Sequence, residues 1–168
     1  NTSATSVAVD NAGNIYLTGE TNGVFFDVNY GSKDAFLIKF DPLGNELLTK
    51  QFGTHWVDGA NAIAIDRVGN IYISGETHGP LGGPMIGPQD IFLNKMNPSG
   101  SEIWSRQIGT TTTDDFPEIT IDNQDEIYLS FASQGLLNEP GYQSNKDAYL
   151  LKYDSSGNRL WSQQIGTP

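Results

Sequence analysis

The 168-residue sequence has no cysteine, which excludes disulfides, thiolate metal sites and a cysteine nucleophile. Charge is scarce, at 17% of residues, and positive charge scarcer: nine Lys and Arg against twenty Asp and Glu, for a net charge of −11. A field of that sign repels nucleic acid and anionic membrane surfaces, so neither is expected as a partner. No run of 18 apolar residues exists to span a bilayer as a helix. Gly-x-Ser-x-Gly, P-loop and dinucleotide fingerprints are missing. The two histidines, His55 and His78, have no Cys or His at ligand spacing. The expectation is a protein that is not an enzyme. A glycosidase-type pair of carboxylates is not singled out by anything in the chain.

What is present is a repeat. Asn14-Ile15-Tyr16-Leu17-Thr18 returns as Asn70-Ile71-Tyr72-Ile73-Ser74 and as Glu126-Ile127-Tyr128-Leu129-Ser130, with successive tyrosines 56 residues apart. Periods of that length mark propellers, solenoids or arrays. Glycine is abundant at 19 residues and aromatics make up 11%, which suits an all-β chain. Each copy reads as four short strands, A to D. Strand A is Val7–Asp10, Ala62–Asp66 and Ile119–Asp122, and strand B contains the repeated tyrosine. Strand C is Asp34–Phe40, Asp90–Met96 and Asp147–Tyr153, and strand D ends on Gln51–Thr54, Gln107–Thr110 and Gln164–Thr167.

Tight turns such as Asp10–Gly13, Asp41–Gly44, Asn97–Gly100 and Asp154–Gly157 join A to B and C to D. An Asp or Asn opens each and a glycine supplies the left-handed residue that closes it. The third A–B turn, 123–126, lacks its glycine and is expected to be the most strained or mobile. Apolar residues in Ile71-Tyr72-Ile73 and Phe92-Leu93 do not alternate strictly with polar ones, so both faces of the sheet are expected to be buried. Four-stranded sheets, repeated and covered on both faces, are the blades of a β-propeller. Small residues on one side of strand A (Ala62, Ala64, Ser6, Ala8) suit the crowded position at the axis. Pro117 is tolerated there because the strand is an edge. The reading is therefore three blades, at 1–54, 55–110 and 111–168.

The runs at 34–45 (Asp-Ala-Phe-Leu-Ile-Lys-Phe-Asp-Pro-Leu-Gly-Asn) and 147–162 resemble the bacterial β-propeller repeat known as the SBBP repeat. The Asp-x-x-Gly-Asn-Ile-Tyr turns are also similar to NHL-type propeller repeats. The resemblance spans essentially the whole chain, departing at Leu48, where other copies have Trp104 and Trp161, and at the third A–B turn. It implies an extracellular or cell-surface bacterial protein whose repeat carries no catalytic motif. The low-charge, Asn/Thr/Gly-rich composition and a first residue that is not Met suit a mature secreted product or an excised piece.

Three blades are fewer than the roughly four a closed propeller requires. An open arc would leave two apolar flanks, each on the order of several hundred Å2. Such flanks are expected to be covered by further blades of a longer propeller or by a second copy. Two copies meeting head to tail would close a six-bladed homo-dimer, and the same contact without closure would give a filament. Tyr16 and Tyr149 are expected at interior flank positions.

The long B–C connections and D–A linkers emerge on one face, where binding residues usually lie. Candidate ligand-binding residues there are Phe25, Phe26, Tyr30, Trp56, Met85 and Tyr142, with Asn22 and Asn29 beside them. That mixture of aromatic and amide groups would suit a glycan, and a protein ligand is the other partner class. Against this, Phe25, Phe26, Tyr30, Met85 and Tyr142, together with Val24, Leu81, Ile86, Leu136 and Leu137 of the same face, would plug gaps between blades. Glu20 and Glu76 end strand B, and Asp34 and Asp90 begin the neighbouring strand C. Together they are the candidate metal ligands, of the oxygen type that Ca2+ takes. Their recurrence in the blades favours capping of backbone N–H groups instead, and no cofactor is expected. Glu118, near Asp114 and Asp115, marks either a solvated channel carboxylate or a cation site.

Overall fold

The protein, in a computed structural model that describes residues 1–24, 28–137 and 146–166, consists of three four-stranded antiparallel sheets in sequence order. Blade 1 holds β1 (Thr2–Val9), β2 (Ile15–Thr21), β3 (Asp34–Phe40) and β4 (Glu46–Phe52). Blade 2 holds β5 (Asp58–Ile65), β6 (Ile71–Thr77), β7 (Asp90–Met96) and β8 (Glu102–Ile108). Blade 3 holds β9 (Asp114–Ile121), β10 (Ile127–Ser133), β11 (Asp147–Tyr153) and β12 (Arg159–Ile165). Every strand C has the expected bounds. Strand A starts earlier than expected, at Thr2, Asp58 and Asp114, and takes in part of what reads as a linker.

The reason is a bulge at the same place in all three A strands. Register slips at Thr5 between Ala4 and Ser6, at Asn61 between Ala60 and Ala62, and at Phe116–Pro117 between Asp115 and Glu118. A bulge interrupts the period of two by which a strand is read from sequence. Pro117 sits in the bulge, where no ladder N–H is required. Strand A lies at one edge of every sheet, and β5 and β9 each pack on strands A, B and C of the preceding blade.

The A–B turns are built on a carboxylate. Asp66 accepts the backbone N–H groups of Val68 at 3.0 Å and Asn70 at 2.8 Å, while Gly69 sits at φ 86°. In blade 3 the turn is Asp122–Asp125, one residue earlier than expected. Asp125 adopts φ 60° without being glycine, which costs about 1 kcal/mol. Arg67 of blade 2 donates to its carboxylate at 2.9 Å. The repeated tyrosine completes the unit: Tyr16, Tyr72 and Tyr128 donate to Asp10, Asp66 and Asp122 at 2.9, 3.3 and 3.1 Å. Lys39, Lys95 and Lys152 lie 5.0 to 5.2 Å from the same rings.

Two hydrophobic cores fill the two blade junctions. Tyr16, Ala35, Leu37 and Phe52 of blade 1 meet Ile63, Ile71, Ile73, Phe92 and Met96 of blade 2. Tyr72, Ile91, Leu93 and Ile108 of blade 2 meet Leu129, Phe131, Tyr149, Leu151 and Tyr153 of blade 3. Blade 2 is therefore covered on both faces, and all seven residues of β7 are buried. In β11 buried residues alternate with less buried ones, the pattern of a sheet covered on one face. Tyr16 and Tyr149 lie at the internal junctions, not on the outer flanks as a flank-position reading would need. Total accessible surface is 8202 Å2, close to the roughly 8,100 Å2 that a chain of this mass presents. The open ends show in which residues are exposed rather than in an excess of area.

One core position in strand B departs from the repeat. Gly19 and Gly75 face a backbone carbonyl: a Cβ on Gly75 would lie 2.1 Å from Gly59 O and 2.6 Å from the Phe92 ring. In blade 3 the same position is Phe131, buried and stacked on Tyr149 with centroids 5.2 Å apart. Opposite it the bulge is rebuilt, with Phe116 at φ 58° and 70% exposed.

Candidate functional site

At each junction the loop that precedes strand C in one blade is tied to the linker entering the next. Asp58 N–H donates to Lys33 O at 2.8 Å and Asp114 N–H to Gln89 O at 3.1 Å. These ties hold the B–C connections and D–A linkers together on one face, as the strand directions require. Beneath them lie buried aspartates. Asp34 Oδ2 accepts Tyr30 N–H at 2.8 Å and Gln51 Nε2 at 2.7 Å. Asp90 accepts the N–H groups of Ile86 and Gly87 and the amide of Gln107. Both are fully buried, and both act as caps for the loop backbone.

Of the strand A aspartates the sequence brings forward Asp114, as a neighbour of Glu118, but not Asp58. Asp58 and Asp114 are fully buried and bind the residue four earlier: Thr54 Oγ1 donates to Asp58, and Thr110 N–H to Asp114 at 2.8 Å. The repeated Gly-Thr-x-x-x-Asp spacing is the signal that would have found them. Burial pushes the Asp114 carboxyl up to about 6, Ser133 and Thr110 hydrogen bonds oppose this, and the nearby Asp90 charge adds to it.

The candidate metal ligands are thus placed apart by role. Glu20 is paired with Lys33 at 2.8 Å, and Glu76 accepts Phe116 N–H at 2.9 Å, while Asp34 and Asp90 cap loops. Among the described residues no three His, Asp or Glu side chains converge as a metal-binding group. Glu118 is exposed opposite Ser130, Asp114 lies opposite Ser133 further along the strand, and Asp115 pairs with Lys146.

Among the ligand-binding candidates, Phe25, Phe26 and Tyr142 lie outside the described residues. Tyr30 and Trp56 come together: with Gly53, Thr54, His55 and Pro80 they line a cleft of about 240 Å3 at the blade 1–blade 2 junction. His55 Nδ1 lies 3.1 Å from Tyr30 O, and Trp56 is 61% exposed. At the second junction Thr112 stands where Trp56 does, and the opening there is lined by Pro88, Thr113, Asp115, Gln134 and Lys146. Met85 is elsewhere, its sulfur 3.1 Å from Gln107 Nε2. Leu81 and Leu137 join the junction cores, as plugs between blades would. Val24 and Ile86 are exposed.

Among the described residues no helix is long and apolar enough to cross a membrane. No curated protein matches the chain. Among solved structures, it is similar to a fucose lectin from Kordia zhangzhouensis in complex with methyl-fucoside. The match has 12% identity and a TM-score of 0.47, covering 98% of this chain and 99% of that one. The family model for the SBBP β-propeller repeat matches residues 1–26 and 49–82. The second segment runs from strand D of blade 1 through strands A and B of blade 2. Over those residues the chain is similar to the β-propeller repeat of the SBBP family.

Proposed function

We propose that the chain is a non-catalytic, extracellular propeller module with a structural or protein-interaction role, its open flanks completed by a second copy meeting it head to tail. One observation carries this. Val7 is 62% exposed where its equivalent Ile63 is 7% exposed, and Ile165 is 60% exposed where Ile108 is 7% exposed. The outward residues of blades 1 and 3 are thus the ones that make the internal junctions elsewhere. The polar contacts follow suit. Lys95 Nζ donates across the second junction to Ser155 O at 2.8 Å, whereas Lys152 turns back to Glu126 of its own blade.

Two such contacts would close a six-bladed ring. Sedimentation velocity on the 168-residue chain is expected to give a species of twice 18.3 kDa. A stable 18.3 kDa monomer overturns the proposal. Growth into filaments would keep the contact and remove the ring. The low-charge composition supports an extracellular setting, and the engagement of the recurring carboxylates as caps supports a non-catalytic one.

The Tyr30–Trp56 cleft favours a second reading, a carbohydrate-binding propeller. Two exposed aromatic faces beside backbone polar groups suit the apolar and hydroxyl sides of a sugar ring. Trp56→Ala is expected to abolish glycan-array signal without changing the β-sheet circular dichroism. A blank array for the unaltered protein counts against this reading.

A further inference from the structure

A second cleft, about 330 Å3, opens between the outer strands of blades 2 and 3. Its lining includes Arg106, Arg159 and Tyr153 with Ile86, Ile108 and Leu137. The chain has three arginines and a net charge of −11, yet two of the three line this one cavity. Arg159 also breaks the repeat, since the equivalent residues are Glu46 and Glu102. At the first junction the corresponding outer residues are thus Lys50 and Glu102, one charge of each sign. At the second both are cationic.

Arg106 is fixed in place. Its Nε donates to Gly157 O at 3.1 Å, one Nη to Ser105 O at 2.8 Å and the other to Ser156 O at 3.3 Å. Those bonds use three of the five N–H groups of a guanidinium and leave two. Tyr153 is buried at the cleft wall. Burial pushes its hydroxyl up to about 12, the Arg159 and Arg106 charges pull against that, and no hydrogen bond enters the balance. The remaining walls are the aliphatic Ile86, Ile108 and Leu137, two glycines and the amide of Gln107.

We propose that this cleft binds a small ring-sized monocarboxylate, its carboxylate held by Arg106 and Arg159 and its apolar face laid on Ile86, Ile108 and Leu137. Arginine forks match carboxylates in geometry, and charge-assisted hydrogen bonds of this kind are stronger than neutral ones. The overall negative field disfavours a polyanion, so one carboxylate per ligand is the fitting charge. A hexuronate and a non-sugar cyclic acid share that chemistry. The site lies within one chain and does not depend on self-association.

NMR titration of the full chain with D-galacturonate, cyclohexanecarboxylate and D-galactose tests the proposal. Saturable shifts of the Gly109 and Gly157 amides, which line the cleft, are expected with one or both acids and not with the neutral sugar. Binding of galacturonate alone would place the sugar hydroxyls in the site; binding of both acids would show that carboxylate and apolar face suffice. Arg159→Glu restores the residue of the other two blades and should fold. It is expected to weaken binding at least about tenfold, while Arg67→Ala leaves binding unchanged. The proposal is overturned if galactose shifts those amides as strongly as the acids, if neither acid binds at millimolar concentration, or if Arg159→Glu binds as before.

Discussion

Ile165→Asp is expected to leave a folded chain that no longer self-associates, whereas Ile108→Asp is expected not to fold. The two residues occupy the same position on strand D, and Phe52 fills it in blade 1. Ile108 is buried in the second junction core, so an aspartate there is an uncompensated buried charge costing several kcal/mol. Ile165 is exposed in the single chain and would meet that penalty only on association. Losing the isoleucine forfeits roughly 1.5–3 kcal/mol of burial, and desolvating the carboxylate adds to it. At 1.4 kcal/mol per tenfold, each junction would weaken by two orders of magnitude or more. A two-fold ring contains the substitution twice. Sedimentation of the variant beside the unaltered chain reads this directly; an Ile165→Asp protein that remains dimeric would show that the contact lies elsewhere.

Gly75→Ala is expected to destabilise the protein by at least about 3 kcal/mol, beyond the usual cost of one added methyl in a core. The new Cβ would stand between Gly59 O at 2.1 Å and the Phe92 ring at 2.6 Å. The ring can swing away, but the carbonyl is part of the sheet. In thermal melts this corresponds to a fall of roughly 6–12 °C for a chain of this size. Phe131→Gly, at the same position of blade 3, should cost about 3–5 kcal/mol for the opposite reason, because it empties the space stacked against Tyr149. A Gly75→Ala protein melting within a degree of the original would mean that β5 and β6 are less closely apposed than described.

Strand C was legible to the residue because Asp90–Met96 and its copies repeat one text, an aspartate, three apolar residues and a lysine before the last position, between a loop and a tight turn. The first half of strand A was not. Asp58-Gly-Ala-Asn61 has low strand propensity, and the bulge at Asn61 breaks the alternation. The burial of Asp58 and Asp114 was not legible because hydropathy places carboxylates at the surface, while these two are buried against threonines and backbone N–H groups. Tyr30 and Trp56 were readable as one loop face, and the structure brings them into one cleft. The arginine cleft is visible in sequence only when the repeats are aligned and the Glu-to-Arg reversal at 159 is noticed. Its partner Arg106 comes from a different blade, at a separation no local pattern spans.

The covering of blade 2 on both faces has a consequence for cooperativity. In a nearest-neighbour array each unit is held by its own sheet and by the interfaces it shares. The middle blade shares two and the outer blades one each, so a single chain would unfold along a gradient, from the ends toward β5–β8. A closed ring has no ends. Joining two copies would raise every blade to the standing of the middle one and turn graded fraying into a single concerted transition.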